Sequence, residues 1–318
     1  MKIALTGSIA FDYLMTFPGR FRDHILVDQL DRLSVSFLVD SLIRRRGGIA
    51  ANIAFTLALL GERPSILATA GEDFADYRTW LEAHGVDTRP LRSVPGEFTS
   101  SFFVTTDEVN SQIASFYTGA MARASELRLA DLEGRPELVV ISANDPAAMD
   151  RYVDECQALH LPYIYDPSQQ IIRLEANSLR RGLEGSTALF GNEYEFGMLQ
   201  EKTGMSLEAI RRQAGFIVKT LGANGADILT AGDLLHIPVV TPERIADPTG
   251  VGDAFRGGFL KGFLHQLDLE TCGRMGVLAA TYCLEHQGTQ GHDFDLQVFL
   301  RRYRSCFGDA PSLARLTG

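Results

Sequence analysis

The sequence predicts an α/β protein with a mostly parallel central sheet, helices on both of its faces, and a small β-sheet lid. Three observations carry that prediction. Short β-branched runs alternate with helix-periodic segments along the whole chain, two stretches that break the alternation have the pattern of a small second sheet, and 45% of the 318 residues are apolar, enough for one large core or two modest ones. Taken in order, residues 2–8, 65–70, 138–142, 163–165, 188–190 and 216–220 read as core strands. Residues 50–60, 75–83, 147–159, 193–201, 207–214, 252–266 and 270–285 read as helices. In the first of these, Ile53, Leu57 and Leu60 share one face and Gly61 supplies a stop, so the helix should be amphipathic and lie against the sheet. Two stretches break the alternation, 13–42 and 99–117; in the second, residues 101–106 and 112–117 have the pattern of a hairpin around 107–110. A small sheet made there, beside the strand ends where open α/β sheets hold ligands, would act as a lid. No repeat or long linker divides the chain, so residues 1–318 are expected as one domain with lid segments at about 13–46 and 98–120.

Composition excludes several function classes. A net charge of −10, with Arg44-Arg45-Arg46 as the one basic cluster, opposes nucleic-acid binding. No apolar run approaches the roughly 20 residues needed to cross a bilayer. The N-terminus reads as a strand entering the Gly7 turn and lacks the zones of a signal peptide. Cys156, Cys272, Cys283 and Cys306 lie far apart without a CxxC pair, which suits buried free thiols in a reducing compartment. A soluble cytoplasmic protein is the expectation.

The strongest local signal is Asp247-Pro-Thr-Gly-Val-Gly-Asp253, a glycine turn running into a helix. Gly250 and Gly252 let backbone N–H groups approach an anion, and the helix adds the positive end of its dipole. A carboxylate there, Asp253, can take the proton of an attacking hydroxyl. The structural alternative is that Asp253 simply caps the helix. Two other phosphate loops are ruled out: Phe255 stands where GxGxxG needs its third glycine, and no GK dipeptide completes a Walker A loop. Upstream, Gly47-Gly48 precede a helix carrying Asn52, whose amide both donates and accepts and so suits adjacent hydroxyls; a solvent-facing Asn is the alternative.

In this order and separation the two glycine segments resemble the signatures of the ribokinase-like carbohydrate and nucleoside kinases, the PfkB family. Ser8 and Asp12 after the first strand and the NxxE motif Asn192-Glu-Tyr-Glu195 match as well, so the resemblance spans the whole chain. Residues 6–15, 33–39, 112–121, 166–170 and 288–290 are similar to the bacterial ribokinase-like adenosine kinases in particular.

The resemblance implies a ribokinase-like fold and an adenosine kinase of purine salvage, using ATP and Mg²⁺. It assigns Asp253 as the base toward the nucleoside 5′-hydroxyl, and the backbone of Gly250, Val251 and Gly252 as the anion hole. Asp12, Gly48 and Asn52 would bind the ribose, Phe102 and Phe116 the purine, with Ser8, Met121, Gln169 and Gln170 alongside. A hairpin's aromatic alternation also fits a merely buried face. Thr220, Gly222 and Gly225 match the nucleotide loop; Arg173 is placed to reach phosphates or to lie on a helix surface. Asn192 and Glu195 would organise Mg²⁺ through water, and Asp247 and Thr249 match positions that help bind a monovalent cation such as K⁺ in relatives. Residues 34–39 alternate as an edge or lid strand should, and relatives dimerise through this region, sending a serine matched by Ser36 into the partner's site. A sugar kinase of the same family and a catalytically silent nucleoside- or sugar-binding regulator stay open as alternatives.

Overall fold

Runs of β-branched residues with no polar alternation set the centre of the molecule. In the computed structural model, which describes residues 2–25, 32 and 34–316, fourteen strands and nine α-helices are found among the described residues. The strands are β1 (Ile3–Thr6), β2 (Ala10–Thr16), β3 (Ser41–Gly47), β4 (Ser65–Leu67), β5 (Thr69–Ala70), β6 (Arg92–Ser93), β7 (Ser100–Thr106), β8 (Gln112–Tyr117), β9 (Leu138–Ser142), β10 (Tyr163–Asp166), β11 (Ala188–Asn192), β12 (Ile217–Thr220), β13 (Ala226–Leu229) and β14 (Leu234–Ile237). The helices are α1 (Ile49–Leu59), α2 (Ala75–Ala83), α3 (Pro146–Ala158), α4 (Ala176–Leu183), α5 (Glu193–Thr203), α6 (Leu207–Arg211), α7 (Val251–Leu264), α8 (Leu269–Leu284) and α9 (Leu296–Phe307).

The central sheet has eight strands in the order β14-β13-β12-β11-β10-β9-β1-β4. From β4 to β12 every pair is parallel; β13 and β14 close one edge antiparallel. Strands β1 and β9 are buried along their whole length, as a sheet covered on both faces requires. Their side chains alternate between two cores. Leu138 and Val140 of β9 face the core shared with α1, α7 and α8, whereas Val139 and Ile141 face the core shared with α3, α4 and α5. Strand order reverses at β1, which lies between β9 and β4, so a crevice opens past its C-terminal end.

The expected strands are present, with one split. Residues 65–67 stay in the central sheet as β4, while β5 turns away to pair with β6. The β13–β14 hairpin and helices α4 and α9 were not anticipated. Each hairpin strand has four residues, α4 carries an interior glycine and two arginines, and α9 shows only a narrow stripe of Phe299, Leu300 and Tyr303. Helix α1 corrects the amphipathic reading. Residues 50–57 are all buried because α7 covers the side that α1 turns away from the sheet.

The lid is a four-stranded sheet ordered β3-β2-β7-β8. Its hairpin turns at Asp107, whose carboxylate accepts from the backbone N–H groups of Phe21, Val109 and Ser111. Residues 34–39 correct the edge-strand expectation. They alternate exposed and half-buried, and Phe37 packs on Phe17 and Phe21, but they join no ladder among the described residues. Leu33, the first residue of the 33–39 match, and residues 26–31 of the first expected lid segment lie outside the described residues. Cys156, Cys272 and Cys283 are buried free thiols as expected, and Cys306 is exposed. Among the described residues no helix is long and apolar enough to cross a membrane.

Candidate active site

A cavity of about 340 Å³ lies between the lid and the crevice past β1, β9 and β10. It gathers residues from distant parts of the chain: Ser8, Asp12, Gly48 and Asn52 from the N-terminal part, Phe102 and Phe116 from the lid hairpin, Gln169 after β10, and Thr249, Gly250, Gly252 and Asp253 at the start of α7. Gly250 begins that helix in the left-handed region, at φ 81°, where a Cβ would also lie 2.8 Å from Thr289 Cβ. No side chain caps α7. The first-turn N–H groups at Val251, Gly252 and Asp253 therefore have no helical acceptor, and Gly252 and Asp253 line the cavity, a ready anion site. This corrects the capping alternative. Asp253 stands in the third helical position, inside the first turn, and its carboxylate is directed elsewhere.

That carboxylate accepts from Asn52 Nδ2 at 2.8 Å. Asn52 is buried, not solvent-facing, so its helix serves the site. Burial pushes the Asp253 carboxyl up to about 6; Arg256 and the Asn52 hydrogen bond oppose the rise, and Asp166 and Glu195 add to it. Arg256 is itself buried and holds Asp166 with both arms of its guanidinium, the Nη2–Oδ1 distance being 2.7 Å, while Nη1 donates to the Gly252 carbonyl at 3.0 Å. A charged pair thus braces the turn that carries the N–H groups. Burial also raises Asp12 to about 6, against the pull of Arg45 on the facing strand. Gly47 leaves room for Asp12, since a Cβ there would lie 2.7 Å from Oδ2.

Asp247 is engaged already. Arg45 Nη1 donates to its Oδ2 at 2.5 Å, Gly288 N to the same oxygen at 3.0 Å and Thr249 N to Oδ1 at 2.9 Å. A guanidinium thus pairs with the Asp247 carboxylate. Ser8 Oγ accepts from the Ile49 N–H at 3.2 Å, tying the β1 loop to α1. Two expected contacts lie off the cavity wall: Met121 is buried in a short 3-10 segment, and Gln170 is buried with its Oε1 unpartnered. Arg173 is exposed, as is Ser36, whose expected place is in a partner's site.

A second, open cleft of about 460 Å³ runs past β11 and β12, lined by Asn192, Glu193, Tyr194, Thr220, Leu221 and Gly222. Asn192 and Glu195 cap α5 reciprocally. The Glu195 N–H donates to Asn192 Oδ1 at 2.8 Å and the Asn192 N–H to Glu195 Oε2 at 2.7 Å, with Ser168 Oγ donating to Oε1 at 3.1 Å. Among the described residues no three His, Cys, Asp or Glu side chains form a metal cage. Gly225 turns the chain from β12 into β13 at φ 87°, off the cleft wall. Sequence reasoning missed Arg256, Arg45, Thr289 and the buried Gln290–Tyr77 contact. Thr289 and Gln290 sit in a noted motif, but nothing local in the sequence marks the two arginines as partners of acids 90 and 202 residues away.

The model of the pfkB family of carbohydrate kinases matches residues 12–294. The chain belongs to the pfkB family. Its similarity to a nucleoside kinase of Methanothermobacter thermautotrophicus is 30% identity over 311 residues, 96% of this chain and 97% of that protein. Among solved structures, a Burkholderia thailandensis nucleoside kinase in complex with inosine superposes with a TM-score of 0.87 at 34% identity, covering 97% of this chain and 99% of the other. A Methanocaldococcus jannaschii nucleoside kinase gives 0.86 at 25% identity over 96% and 99%. The architecture of this pfkB-family chain is therefore the ribokinase-like fold, in a family of ATP-using kinases.

Proposed function

We propose that the chain is a nucleoside kinase that transfers the γ-phosphoryl group of ATP to the 5′-hydroxyl of a purine nucleoside, adenosine foremost. One observation carries the reading: a single cavity holds a carboxylate beside uncapped helix N–H groups (Asp253), a second carboxylate suited to a vicinal diol (Asp12) and two aromatic rings (Phe102, Phe116). Those are the needs of base, ribose and purine. The similar proteins named as nucleoside kinases, one of them bound to inosine, support the same class.

In the proposed reaction the 5′-oxygen attacks the γ-phosphorus as the bond to the β,γ-bridging oxygen breaks. The hydroxyl proton passes to Asp253, and ADP leaves. The N–H groups at Gly250, Val251 and Gly252 stabilise charge on the transferring group. Asn192 and Glu195 would hold waters of an ATP-borne Mg²⁺, which supplies neutralisation of phosphate charge. Thr220 and Gly222 would border the nucleotide in the open cleft.

Leu38, Leu42, Ile113 and Tyr117 leave the lid with an exposed apolar surface, which supports a homodimer through the lid. Sedimentation should give twice the chain mass at micromolar protein; a monomer removes the shared interface. The function is tested with purified protein and Mg-ATP against adenosine, inosine, guanosine, cytidine, ribose and fructose. Preferred turnover of adenosine is expected. Preferred turnover of a free sugar overturns the acceptor, and nucleoside binding without turnover overturns catalysis in favour of a regulator.

A further inference from the structure

Asn52 can present either end of its amide to Asp253, and only one end helps. Nδ2 donates to a carboxylate, whereas Oδ1 repels it. What decides the orientation lies behind Asn52. Gln290 Nε2 donates to Asn52 Oδ1 at 3.0 Å and also to the Tyr77 hydroxyl, while Gln290 Oε1 accepts from Trp80 Nε1 at 3.1 Å. The Tyr77 hydroxyl donates to the Gly47 carbonyl at 2.9 Å.

Two groups in this chain have no choice of role. An indole N–H only donates, and a backbone carbonyl only accepts. Gly47 O therefore makes the Tyr77 hydroxyl a donor toward it and leaves the phenolic oxygen to accept from Gln290. Trp80 Nε1 independently requires an acceptor, which is Gln290 Oε1. Both constraints turn the Gln290 amide the same way, and its remaining N–H meets Asn52 Oδ1. Asn52 is then left with Nδ2 toward Asp253 Oδ2, at 2.8 Å. Gln290 and Tyr77 are both buried, so water does not compete freely for these bonds.

We infer that Gln290 is a positioning residue: clamped between Trp80 and Tyr77, its amide dictates that Asn52 donates to the Asp253 carboxylate and so fixes the base for proton transfer. This inference rests on the assignment of Asp253 as base. The other charged or titratable groups facing Asp253 are Arg256 on its own helix, Asp166 on β10, Glu195 on α5, Tyr77 on α2 and Cys283 on α8. None of them has two ends to choose between as the Asn52 amide does.

Gln290→Met removes the clamp without adding charge, and Gln290→Glu replaces the donor toward Asn52 by an acceptor, which turns the Asn52 oxygen toward Asp253. Each is made in the wild-type chain and in an Asn52→Ala chain, with thermal melting to confirm folding. The Asp253 carboxyl is followed by ¹³C NMR of aspartate-labelled protein, assigned by its loss in Asp253→Asn. In Gln290→Met its titration should move upward by about half a unit, and in Gln290→Glu by about one unit or more. With adenosine and Mg-ATP, kcat for Gln290→Met should fall about tenfold while the adenosine KM changes less than about twofold. In the Asn52→Ala chain the Gln290→Met effects should vanish, and Gln290→Glu should leave only the through-space effect of its charge. An unchanged Asp253 titration in folded Gln290→Met, or the same shift without Asn52, overturns the inference; a Gln290→Glu that does not fold leaves that comparison intact. The NMR readout needs no turnover, so a wild-type chain that is inactive on adenosine would fail the functional reading while the clamp still stands or falls on its own.

Discussion

The cavity under the lid, proposed for the acceptor, and the open cleft past β11 and β12 lie along the same end of the sheet, and they are built by different means. Around the acceptor cavity, side chains dominate: Asp12 and Asp253 are both raised to about 6 by burial, Asn52 is held on two sides, and Arg256 is locked to Asp166. Along the cleft Asn192 is tied into the cap of α5, and Thr220, Leu221 and Gly222 come from the end of β12 and its turn. A deep cavity built from desolvated charges can choose between acceptors, because each wrong group leaves a buried charge unpaired. An open cleft with exposed walls, the place proposed for the ATP cosubstrate, is less selective. Substitutions in the first region should change chemistry and choice, and those in the second should change affinity.

The largest effect is expected at Asp253. Asp253→Asn keeps the shape and removes the proton acceptor, so kcat should fall by about 10²- to 10⁴-fold with adenosine binding, measured by calorimetry, changed only a few-fold. A near wild-type rate would break the base assignment. The same residue fixes a pH dependence. As the carboxyl titrates near 3.8 when unfolded and about 6 when folded, the folded state binds more protons between these values. The contribution of Asp253 to stability therefore falls as pH rises from about 4 to about 6 and stays low above. Asp253→Asn should melt higher than wild type at pH 7.5 and lose that part of the pH slope.

Next comes Asp12. A hydrogen bond to a charged group is worth about 1.5–3 kcal/mol, so Asp12→Asn should raise the adenosine KM by about 10- to 100-fold and leave the ATP KM alone. It also sharpens the pH profile. With Asp12 and Asp253 both ionising near 6, kcat/KM of the wild type should fall with two protons below that pH, and in Asp12→Asn with one. A smaller loss is expected in Phe116→Ala. Stacking of a base on an aromatic ring is worth about 1–3 kcal/mol, and Phe116 is 49% exposed, so the lower end applies and the adenosine KM should rise about fivefold. An equal loss with ribose as acceptor would show that Phe116 shapes the lid and not the base slot.

The two regions also differed in how legible they were. Asp253 could be read because its signal is local: a glycine turn, a carboxylate and a helix start within seven residues. The parallel strands were legible for the same reason, each being a short apolar run covered on both faces. Asp12 carried no local mark and was placed by resemblance alone. Gln290, Arg256 and Arg45 matter through partners 238, 90 and 202 residues away, and folding, not spacing, brings them together. The pairing of Asp247 was hidden on that account, because Arg45 comes from a lid strand and no local pattern reveals where its charge will land. The edge-strand expectation for residues 34–39 failed for a related reason. Alternation predicts an extended segment but cannot name the strand that pairs with it.

Glu195 offers the smallest effect and the finest test of the contrast. Its two oxygens accept from the Asn192 N–H and from Ser168, so the NxxE pattern is already explained by helix capping. Glu195→Gln keeps one acceptor and gives up the charge. Loss of a cap costs about 0.5–2 kcal/mol, and the isosteric amide should stay at the low end, a drop of a few degrees in melting temperature. If Glu195 also positions waters around an ATP-borne cation, the ATP KM should rise about threefold to tenfold, and added Mg²⁺ should recover part of it. The adenosine KM should not move. A variant that melts lower yet keeps its ATP KM at limiting Mg²⁺ would leave Glu195 as a cap alone.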